Sequence, residues 1–317
     1  MIAPSLWAWV GFTFFVLGML VLDLGVFNRK THTVSIKEAL IWSLVWITLA
    51  LVFNVGLFFF VGSEAALQFF TGYLIEKSLS VDNIFIFVLI FSYFSVPARY
   101  QHRVLFWGVL SALILRGMMI GLGSVLIEEF HWILYIFGAF LIFTGIRMGV
   151  QQNERVEPNN NPVVKLVRRM MPVTEQYEGG KFVVRRDGRS ILTPLMLVLI
   201  VIETMDIVFA VDSIPAIFAV TTDPFIVFTS NVFAILGLRS LYFVFANMID
   251  KFYYLKIALA VILTFIGMKM LLTDLFHIPT WSSLLVIAVI LTIAIVASIV
   301  RARRLKGVQV RVPEEVK

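Results

Sequence analysis

The apolar residues of this chain are gathered into nine long runs that are separated by polar connections. A transmembrane helix needs about 20 consecutive apolar residues, so each run predicts one crossing of a membrane. The predicted fold class is therefore all-α, a polytopic membrane protein with about nine transmembrane helices. The runs lie at roughly 6–27, 38–61, 66–94, 104–127, 132–150, 191–220, 225–249, 256–274 and 281–300.

The overall composition agrees with a membrane protein. Hydrophobic residues make up 60% of the chain and charged residues 15%, whereas soluble domains are about 45–50% apolar. The first run contains Asp23 and lacks a basic leader and a cleavage pattern, so we expect a retained helix rather than a signal peptide. The sequence contains no cysteine, which excludes disulfides, thiolate nucleophiles and thiolate metal ligands.

The basic residues predict the orientation of the chain. Lys and Arg fall in alternate connections, around 29–37, 99–103, 155–189, 251–256 and after 301, while the other connections contain none. The positive-inside rule then places the N-terminus outside and the C-terminus in the cytoplasm of a multi-pass membrane protein. We attribute the net charge of +6 to loops that face anionic lipid rather than to a nucleic-acid surface. Protein partners cannot be inferred from the sequence.

Three segments recur in the same order and at nearly the same spacing. Phe137–Met148 resembles Leu259–Met270, Asp82 corresponds to Asp206, and Leu115-Arg116 corresponds to Leu238-Arg239. A three-helix unit that is repeated in tandem enters the membrane upside down the second time, as in many transporters. The predicted units are two N-terminal helices (1–65), a first repeat (66–150), a cytoplasmic connection (151–190), an inverted second repeat (191–274), and a last helix with a basic tail (275–317).

Five carboxylates lie inside the third and sixth apolar runs. An ionised side chain near the bilayer centre costs at least about 2.5–3.5 kcal/mol, so its presence usually means a partner, a water-filled cavity or a bound ion. On a continuous helix Glu203 and Asp206 share one face, and Pro215 predicts a kink or break that would re-aim Asp212. The predicted site consists of Glu76, Asp82, Glu203, Asp206 and Asp212.

The residue types in these runs favour a hard divalent cation. The four histidines lie in or beside connections, so a buried site would be rich in oxygen, which suits Mg²⁺, Ca²⁺ or Mn²⁺. Neutral oxygens are available from Ser80, Asn83, Thr204, Ser213 and Asn231. Charge-balancing cations at a similar depth are Lys77, Arg116 and Arg239.

The formal charges at this depth do not cancel. Five carboxylates face three basic residues, which leaves two negative charges for a divalent cation or for protons. Exchange of a cation for protons follows, because carboxylates held close together bind protons readily. The alternative interpretation is that the arginines pair with the carboxylates only to orient the helices. We expect a transported cation and no cofactor.

Two further patterns predict structure rather than chemistry. The connection at 151–190 predicts an interfacial helix followed by a small hairpin that turns at Asp187-Gly188. Glycines at small-residue spacing predict close helix packing. They are Gly117 and Gly121 in the fourth run, and Gly11, Gly18 and Gly25 in the first.

The acidic segments resemble the signatures of a known family, the TerC family, and especially its Alx-type branch. The resemblance extends over almost the whole chain. It implies an integral inner-membrane protein associated with manganese efflux, within a superfamily that also contains lysine-exporter-like carriers. The leading hypothesis is export of Mn²⁺ in exchange for protons. The segments that carry the resemblance are Tyr73–Asn83, Glu203–Ala216 and Thr229–Arg239.

Two other functions compete with cation export. An amino-acid exporter would use Arg116 or Arg239 to bind a carboxylate, although the excess of acidic residues argues against it. A membrane scaffold or stress sensor would instead recruit cytoplasmic partners through residues 151–190. An enzyme is the least expected class, because no nucleophile, cofactor motif or catalytic histidine lies in the apolar runs.

Overall fold

The structure is a computed structural model that describes residues 6–22, 35–130, 132–150, 162–186, 189–245, 254–272, 274–275 and 278–309. At 82, 162–163 and 302–309 only the backbone is described. The helices are α1 (Leu6–Leu22), α2 (Ile36–Phe60), α3 (Ser63–Tyr93), α4 (Ala98–Glu129), α5 (Ile133–Val150), α6 (Pro162–Met170), α7 (Pro194–Phe218), α8 (Pro224–Leu236), α9 (Leu238–Phe245), α10 (Leu255–Leu271) and α11 (Thr280–Gln309). The strands are β1 (Val183–Arg186) and β2 (Arg189–Leu192).

The chain is an all-α membrane protein, apart from one short hairpin. Within the described residues, six helical segments are long and apolar enough to cross a membrane: α2, α4, α5, α7, α8 with α9, and α11. Helices α1 and α10 are apolar but only 17 residues long. Helix α3 has 31 residues but carries charged side chains in its middle. Within the described residues each apolar run thus contains a helix, while the number of nine crossings stays a prediction.

Local sequence signals set where several helices begin. The carboxylate of Asp223 accepts hydrogen bonds from the amides of Phe225 and Ile226, at 2.9 and 3.3 Å, and Pro224 occupies the first turn of α8. Both are favourable at a helix N-terminus, where amides lack intrahelical partners. The Ser35 side chain caps α2 in the same way by accepting from the amide of Glu38.

The prediction of a helix break near Pro215 is wrong, whereas the predicted kink stays a prediction. Helix α7 continues to Phe218, and Pro215 lies in its last turn. A proline there removes a hydrogen bond close to the helix end, where few later turns depend on it. The helix break lies instead in the next apolar run, at Gly237 between α8 and α9.

Helices α3, α4, α7 and α8 form the centre of the molecule. Helix α3 packs on α8 and α4 packs on α7, while α3 and α7 also contact each other. The approach of α3 to α8 is close, because a β-carbon added at Gly72 would lie 2.9 Å from the Ser230 hydroxyl. This packing brings the polar residues of α3 and α7 towards α4 and α8.

Helices α5 and α10 pack through a reciprocal set of glycine contacts. A β-carbon added at Gly267 would lie 2.6 Å from the carbonyl oxygen of Gly138, and one added at Gly145 would lie 2.7 Å from that of Ala260. In the repeat alignment Gly145 corresponds to Gly267, and Gly138 corresponds to Ala260. Exchanging the two helices therefore exchanges the two contacts, as across a two-fold axis.

The other predicted small-residue contacts are confirmed only in part. A β-carbon at Gly117 would lie 3.2 Å from the ring of Phe228, which is a close contact. At Gly11, Gly18 and Gly121 no atom of the described residues lies within 4 Å of such an atom, so the prediction of close packing is wrong there for the described part of the chain. Gly25 lies outside the described residues.

The connection before α7 folds onto the ends of the neighbouring helices. Strands β1 and β2 pair antiparallel with Arg186 opposite Arg189, which confirms the hairpin; residues 187–188 are not described. The chain after α6 also pairs with β2, through the amide of Thr174 and the carbonyl of Leu192 at 2.8 Å. The Tyr177 hydroxyl donates to the carbonyl of Phe94 at the end of α3, at 2.7 Å.

We expect Gly267→Ala to lower stability by about 1–3 kcal/mol, because the added methyl would overlap backbone atoms of α5. Thermal unfolding of the detergent-solubilised protein measures the loss. The matched control is Gly121→Ala, which adds the same methyl in open space and should be neutral or slightly stabilising. Equal melting temperatures for the two variants would contradict the close contact of α5 and α10.

We expect Tyr177→Phe to lower stability by about 0.5–1.5 kcal/mol at neutral pH, the usual contribution of one hydrogen bond. Burial raises the pKa of the Tyr177 phenol, so the neutral hydroxyl is favoured in the folded state. The hydroxyl stabilises the folded state fully at pH values below the pKa of a phenol in the unfolded chain. This stabilisation is lost as the pH rises through the pKa of Tyr177 in the folded protein. Unfolding measured from neutral to strongly alkaline pH should show the variant and the parent converging.

Candidate functional site

Arg116 lies at the centre of the buried polar residues. It is in the middle of α4, with 2% of its surface exposed. A charged group in the interior requires partners, because removing it from water is costly. Those partners come from three neighbouring helices: α3, α7 and α8.

The guanidinium of Arg116 joins two buried carboxylates. Its Nε and Nη2 donate to the two oxygens of Asp206, at 3.3 and 2.9 Å, in a bidentate arrangement. Its Nη1 donates to Oε1 of Glu76. The same Nη1 also lies 3.4 Å from the Ser213 hydroxyl and 3.3 Å from Oδ1 of Asn231. One cation thus connects α3, α4, α7 and α8.

Glu203 lies one helical turn before Asp206, on the same face of α7. Its Oε1 accepts a hydrogen bond from Ser111 of α4. Gly108, one turn before Ser111, lies next to this carboxylate, because a β-carbon there would be 3.7 Å from the same oxygen, an ordinary van der Waals distance. The prediction that Glu203 and Asp206 share a face is confirmed, since both carboxylates face α4.

Several polar atoms around Arg116 are buried without a hydrogen-bond partner among the described residues. They are Oε2 of Glu76, Oε2 of Glu203 and Nδ2 of Asn231. Asp206 also lines a small cavity. Its accessible volume is about 10 Å³, which is close to what a single water molecule requires. The site therefore retains two carboxylate oxygens that have no hydrogen-bond partner among the described residues.

Lys77 lies beside the break between α8 and α9. Its ammonium donates to the carbonyl of Ala234 at 3.2 Å and lies 5.9 Å from the centre of the Tyr73 ring. A cation at a helix C-terminus is stabilised by the carbonyls that lack intrahelical partners. Lys77 therefore contacts a helix end, whereas Arg116 contacts the carboxylates.

The other predicted site residues are distributed around this centre. Ser80 and Thr204 donate their hydroxyls to the carbonyls of Glu76 and Ile200 in their own helices, each at 2.7 Å. Asn83 is buried and Asp212 is partly buried. The side chain of Asp82 lies outside the described part of the structure.

Arg239, which corresponds to Arg116 in the repeat, is buried at the start of α9. It does not line the cavity beside Asp206. It lines a separate small cavity with Glu38 of α2 and His102 of α4. Of the predicted charge-balancing residues, Arg116 alone among those described forms an ion pair with two of the predicted carboxylates.

The predicted cluster of five carboxylates is therefore seen only in part. Glu76 and Asp206 meet at Arg116, and Glu203 lies one turn away. Among the described side chains, which exclude that of Asp82, no three His, Cys, Asp or Glu residues form a ready-made metal site. Sequence reasoning missed Ser111, because a serine in an apolar helix gives no pattern that distinguishes it from a structural residue.

We expect Arg116→Gln to lower stability by about 3–5 kcal/mol, because it leaves two buried carboxylates without their counter-ion. Thermal unfolding in detergent measures the loss. Adding Glu76→Gln and Asp206→Asn to the same variant should recover part of it. The control is Arg189→Gln, an exposed residue of β2, which should change stability by less than about 0.5 kcal/mol. A wild-type melting temperature for Arg116→Gln would contradict the bridging role.

The sequence is closely related to known membrane proteins. A protein from Myxococcus xanthus named "Uncharacterized membrane protein STKORF319" is 54% identical over 95% of this chain and 94% of its own length. The Escherichia coli K12 protein named "Putative membrane-bound redox modulator Alx" is 51% identical over 92% of this chain and 94% of its own length. A Rickettsia felis protein named "Uncharacterized membrane protein" is 42% identical over 93% and 98%.

No solved structure matches the chain. The family model described as "Integral membrane protein TerC family" matches residues 61–306, a segment that begins just before α3 and ends inside α11. It includes every residue of the site around Arg116. The chain therefore belongs to the integral membrane protein TerC family.

Proposed function

We propose that this protein is a membrane transporter that exports Mn²⁺ through the acidic site around Arg116. The observation that carries the proposal is the convergence of Glu76, Glu203 and Asp206 near the middle of two long helices, α3 and α7, with carboxylate oxygens left unpartnered among the described residues. Carboxylates are retained at this depth when they bind ions or protons. Oxygen ligands suit a hard cation such as Mn²⁺.

The proposed topology has nine crossings, with the N-terminus outside and two inverted repeats of three helices, in the cell inner membrane. The reciprocal glycine contacts of α5 and α10 support the repeats, since a two-fold relation between these helices requires them. The helix break at Gly237 is the kind of interruption found near transporter substrate sites. The repeats would then move relative to each other around α3 and α7.

Arg116 is proposed to be the counter-ion that a transported cation must displace. Its guanidinium pairs with both Glu76 and Asp206, so a divalent cation that bound Asp206 would compete with it for that carboxylate. Glu203 faces the same helix without pairing with Arg116. We therefore propose that Glu203 binds the cation first, and that Asp206 joins it when Arg116 moves towards Glu76, Ser213 and Asn231.

Export coupled to protons remains the proposed exchange. The formal charges of the site leave an excess of negative charge that one divalent cation or two protons can balance. Cations and protons therefore compete for the same carboxylates. A proton gradient directed inwards would then drive Mn²⁺ outwards. The proposal includes no enzymatic reaction and no bound cofactor.

The name of the Escherichia coli relative favours a second function, modulation of redox state. This chain contains no cysteine, so it cannot perform thiol–disulfide exchange with its own side chains. An effect on redox state is therefore proposed to be indirect, through the concentration of a redox-active metal ion. For an amino-acid carrier the support is weaker, because the Arg116 guanidinium is already bound to two carboxylates.

We expect Glu203→Gln to reduce Mn²⁺ flux in reconstituted vesicles at least tenfold while the protein stays folded. Glu203 bonds only to Ser111 among the described residues for which contacts are given, so its substitution leaves the Arg116 bridge intact. A fluorescent indicator inside the vesicles measures the flux, with Ca²⁺, Mg²⁺ and lysine as competitors. The matched control, Glu175→Gln, removes an exposed carboxylate outside the site and should keep the parent rate.

Asp82→Asn and Asp206→Asn complete the series. Loss of Mn²⁺ flux in both, with retained folding, would assign the transport site to the facing helices α3 and α7. A parent protein that is well folded and correctly inserted but moves no Mn²⁺ would refute the exporter. If lysine moved instead, the amino-acid carrier would replace it. If neither moved, and deletion of residues 151–190 abolished function in cells, the scaffold would be favoured.

A further inference from the structure

The connection between α5 and α7 carries a concentration of basic residues that the proposed transport site does not use. Residues 162–192 contain seven basic and three acidic side chains. Lys165, Arg168 and Arg169 lie on α6, and Arg185 and Arg189 lie on the hairpin. All five are exposed. We call these five residues, together with Leu166 and Met170, the basic surface.

One face of α6 is fixed to the protein body. Val164 is fully buried, and Val167 packs against the same apolar cluster as the first residues of α7. Because side chains three and four positions apart share a helix face, Val164 and Val167 turn the remaining residues outwards. The orientation of α6 is therefore set by packing rather than by its own sequence alone.

The outward face of α6 is both apolar and basic. Leu166 and Met170 are four residues apart, with 56% and 73% of their surfaces exposed. Lys165 and Arg169 form a second pair at the same spacing, directly beside the first. Apolar side chains in contact with bulk water are unfavourable, whereas this combination is typical of helices that lie in the headgroup region of a membrane.

The hairpin and the residues before it contact the beginnings of α4 and α7. Arg103 of α4 lies 5.5 Å from the ring of Phe182, and the Gly180 backbone contacts Tyr100, where an added β-carbon would lie 3.1 Å from the ring. The Thr193 hydroxyl, one residue before α7, donates to the carbonyl of Lys181 at 2.6 Å. The basic surface is thus held at the level where α7 begins its passage through the apolar region.

We propose that the basic surface binds the headgroups of anionic phospholipids in the adjoining membrane leaflet. The charge is complementary, since clusters of about 4–8 Lys or Arg next to a membrane helix attract anionic lipid. Leu166 and Met170 insert among the upper acyl chains, while Lys165 and Arg169 bind lipid phosphates. A soluble polyanion would explain the charge but not the two exposed apolar side chains beside it.

The test is native mass spectrometry of the full chain in detergent, titrated with phosphatidylglycerol or phosphatidylcholine of the same acyl chains. We expect the parent to retain phosphatidylglycerol preferentially. Lys165→Gln combined with Arg169→Gln should reduce that preference at least fivefold. The matched control, Lys37→Gln with Arg147→Gln, removes two exposed charges from the ends of α2 and α5 and should leave it within twofold.

A second pair of variants separates lipid binding from simple charge attraction. Leu166→Ser with Met170→Ser keeps every charge, and we expect it to weaken retention of both lipids at least threefold. The proposal would be overturned if Lys165→Gln with Arg169→Gln and the control Lys37→Gln with Arg147→Gln lost the preference for phosphatidylglycerol equally. Net charge alone would then explain the preference. Heparin binding that matches phosphatidylglycerol binding and is unaffected by Leu166→Ser with Met170→Ser would also overturn it, in favour of a soluble polyanion. Neither measurement depends on whether the protein transports Mn²⁺.

Discussion

The bridge from Arg116 to Glu76 and Asp206 is the interaction on which the arrangement of the central helices depends. Three charged groups are removed from water at one point. Each of them separately would cost several kcal/mol. Together they are tolerable only when the guanidinium reaches both carboxylates at once. This requirement fixes the relative depth and rotation of α3, α4 and α7, because a shift of one residue along any of these helices would break the bridge.

Close approach of the helices is the second condition that the bridge imposes. Arg116 contacts residues on three neighbours, so these must lie within the reach of one side chain. Small residues make that distance possible: Gly72 allows α3 to contact α8, and Gly117 allows α4 to approach the Phe228 ring of α8. Without a strong hydrophobic driving force between helices in lipid, such packing and polar contacts are what hold a membrane bundle together. The polar contacts of Arg116 therefore depend on the close helix packing that the glycines allow.

The sequence predicts the helices and the acidic positions well, because both depend on local composition. The limits of α4, α5 and α10 fall within a few residues of the apolar runs, and Glu203 and Asp206 share a face as their spacing requires. What the sequence misses depends on tertiary contacts. The break at Gly237 rather than at Pro215, and the pairing of Ser111 with Glu203, follow from how neighbouring helices meet. Counting the formal charges in the apolar runs could not show which residues pair, and in the structure one arginine, Arg116, pairs with two carboxylates.

In the proposed exporter, a bridge that stabilises the fold would also limit how tightly the site binds a cation. If Arg116 occupies Glu76 and Asp206 in one state, a divalent ion gains those ligands only by displacing a positive charge that is already well placed. That competition weakens binding, but it also permits release, and a transporter needs both steps in each cycle. A site of five unopposed carboxylates would bind a cation strongly and release it slowly. In the proposed exporter a built-in counter-ion would avoid this, because Arg116 would pair again with both carboxylates when the cation leaves.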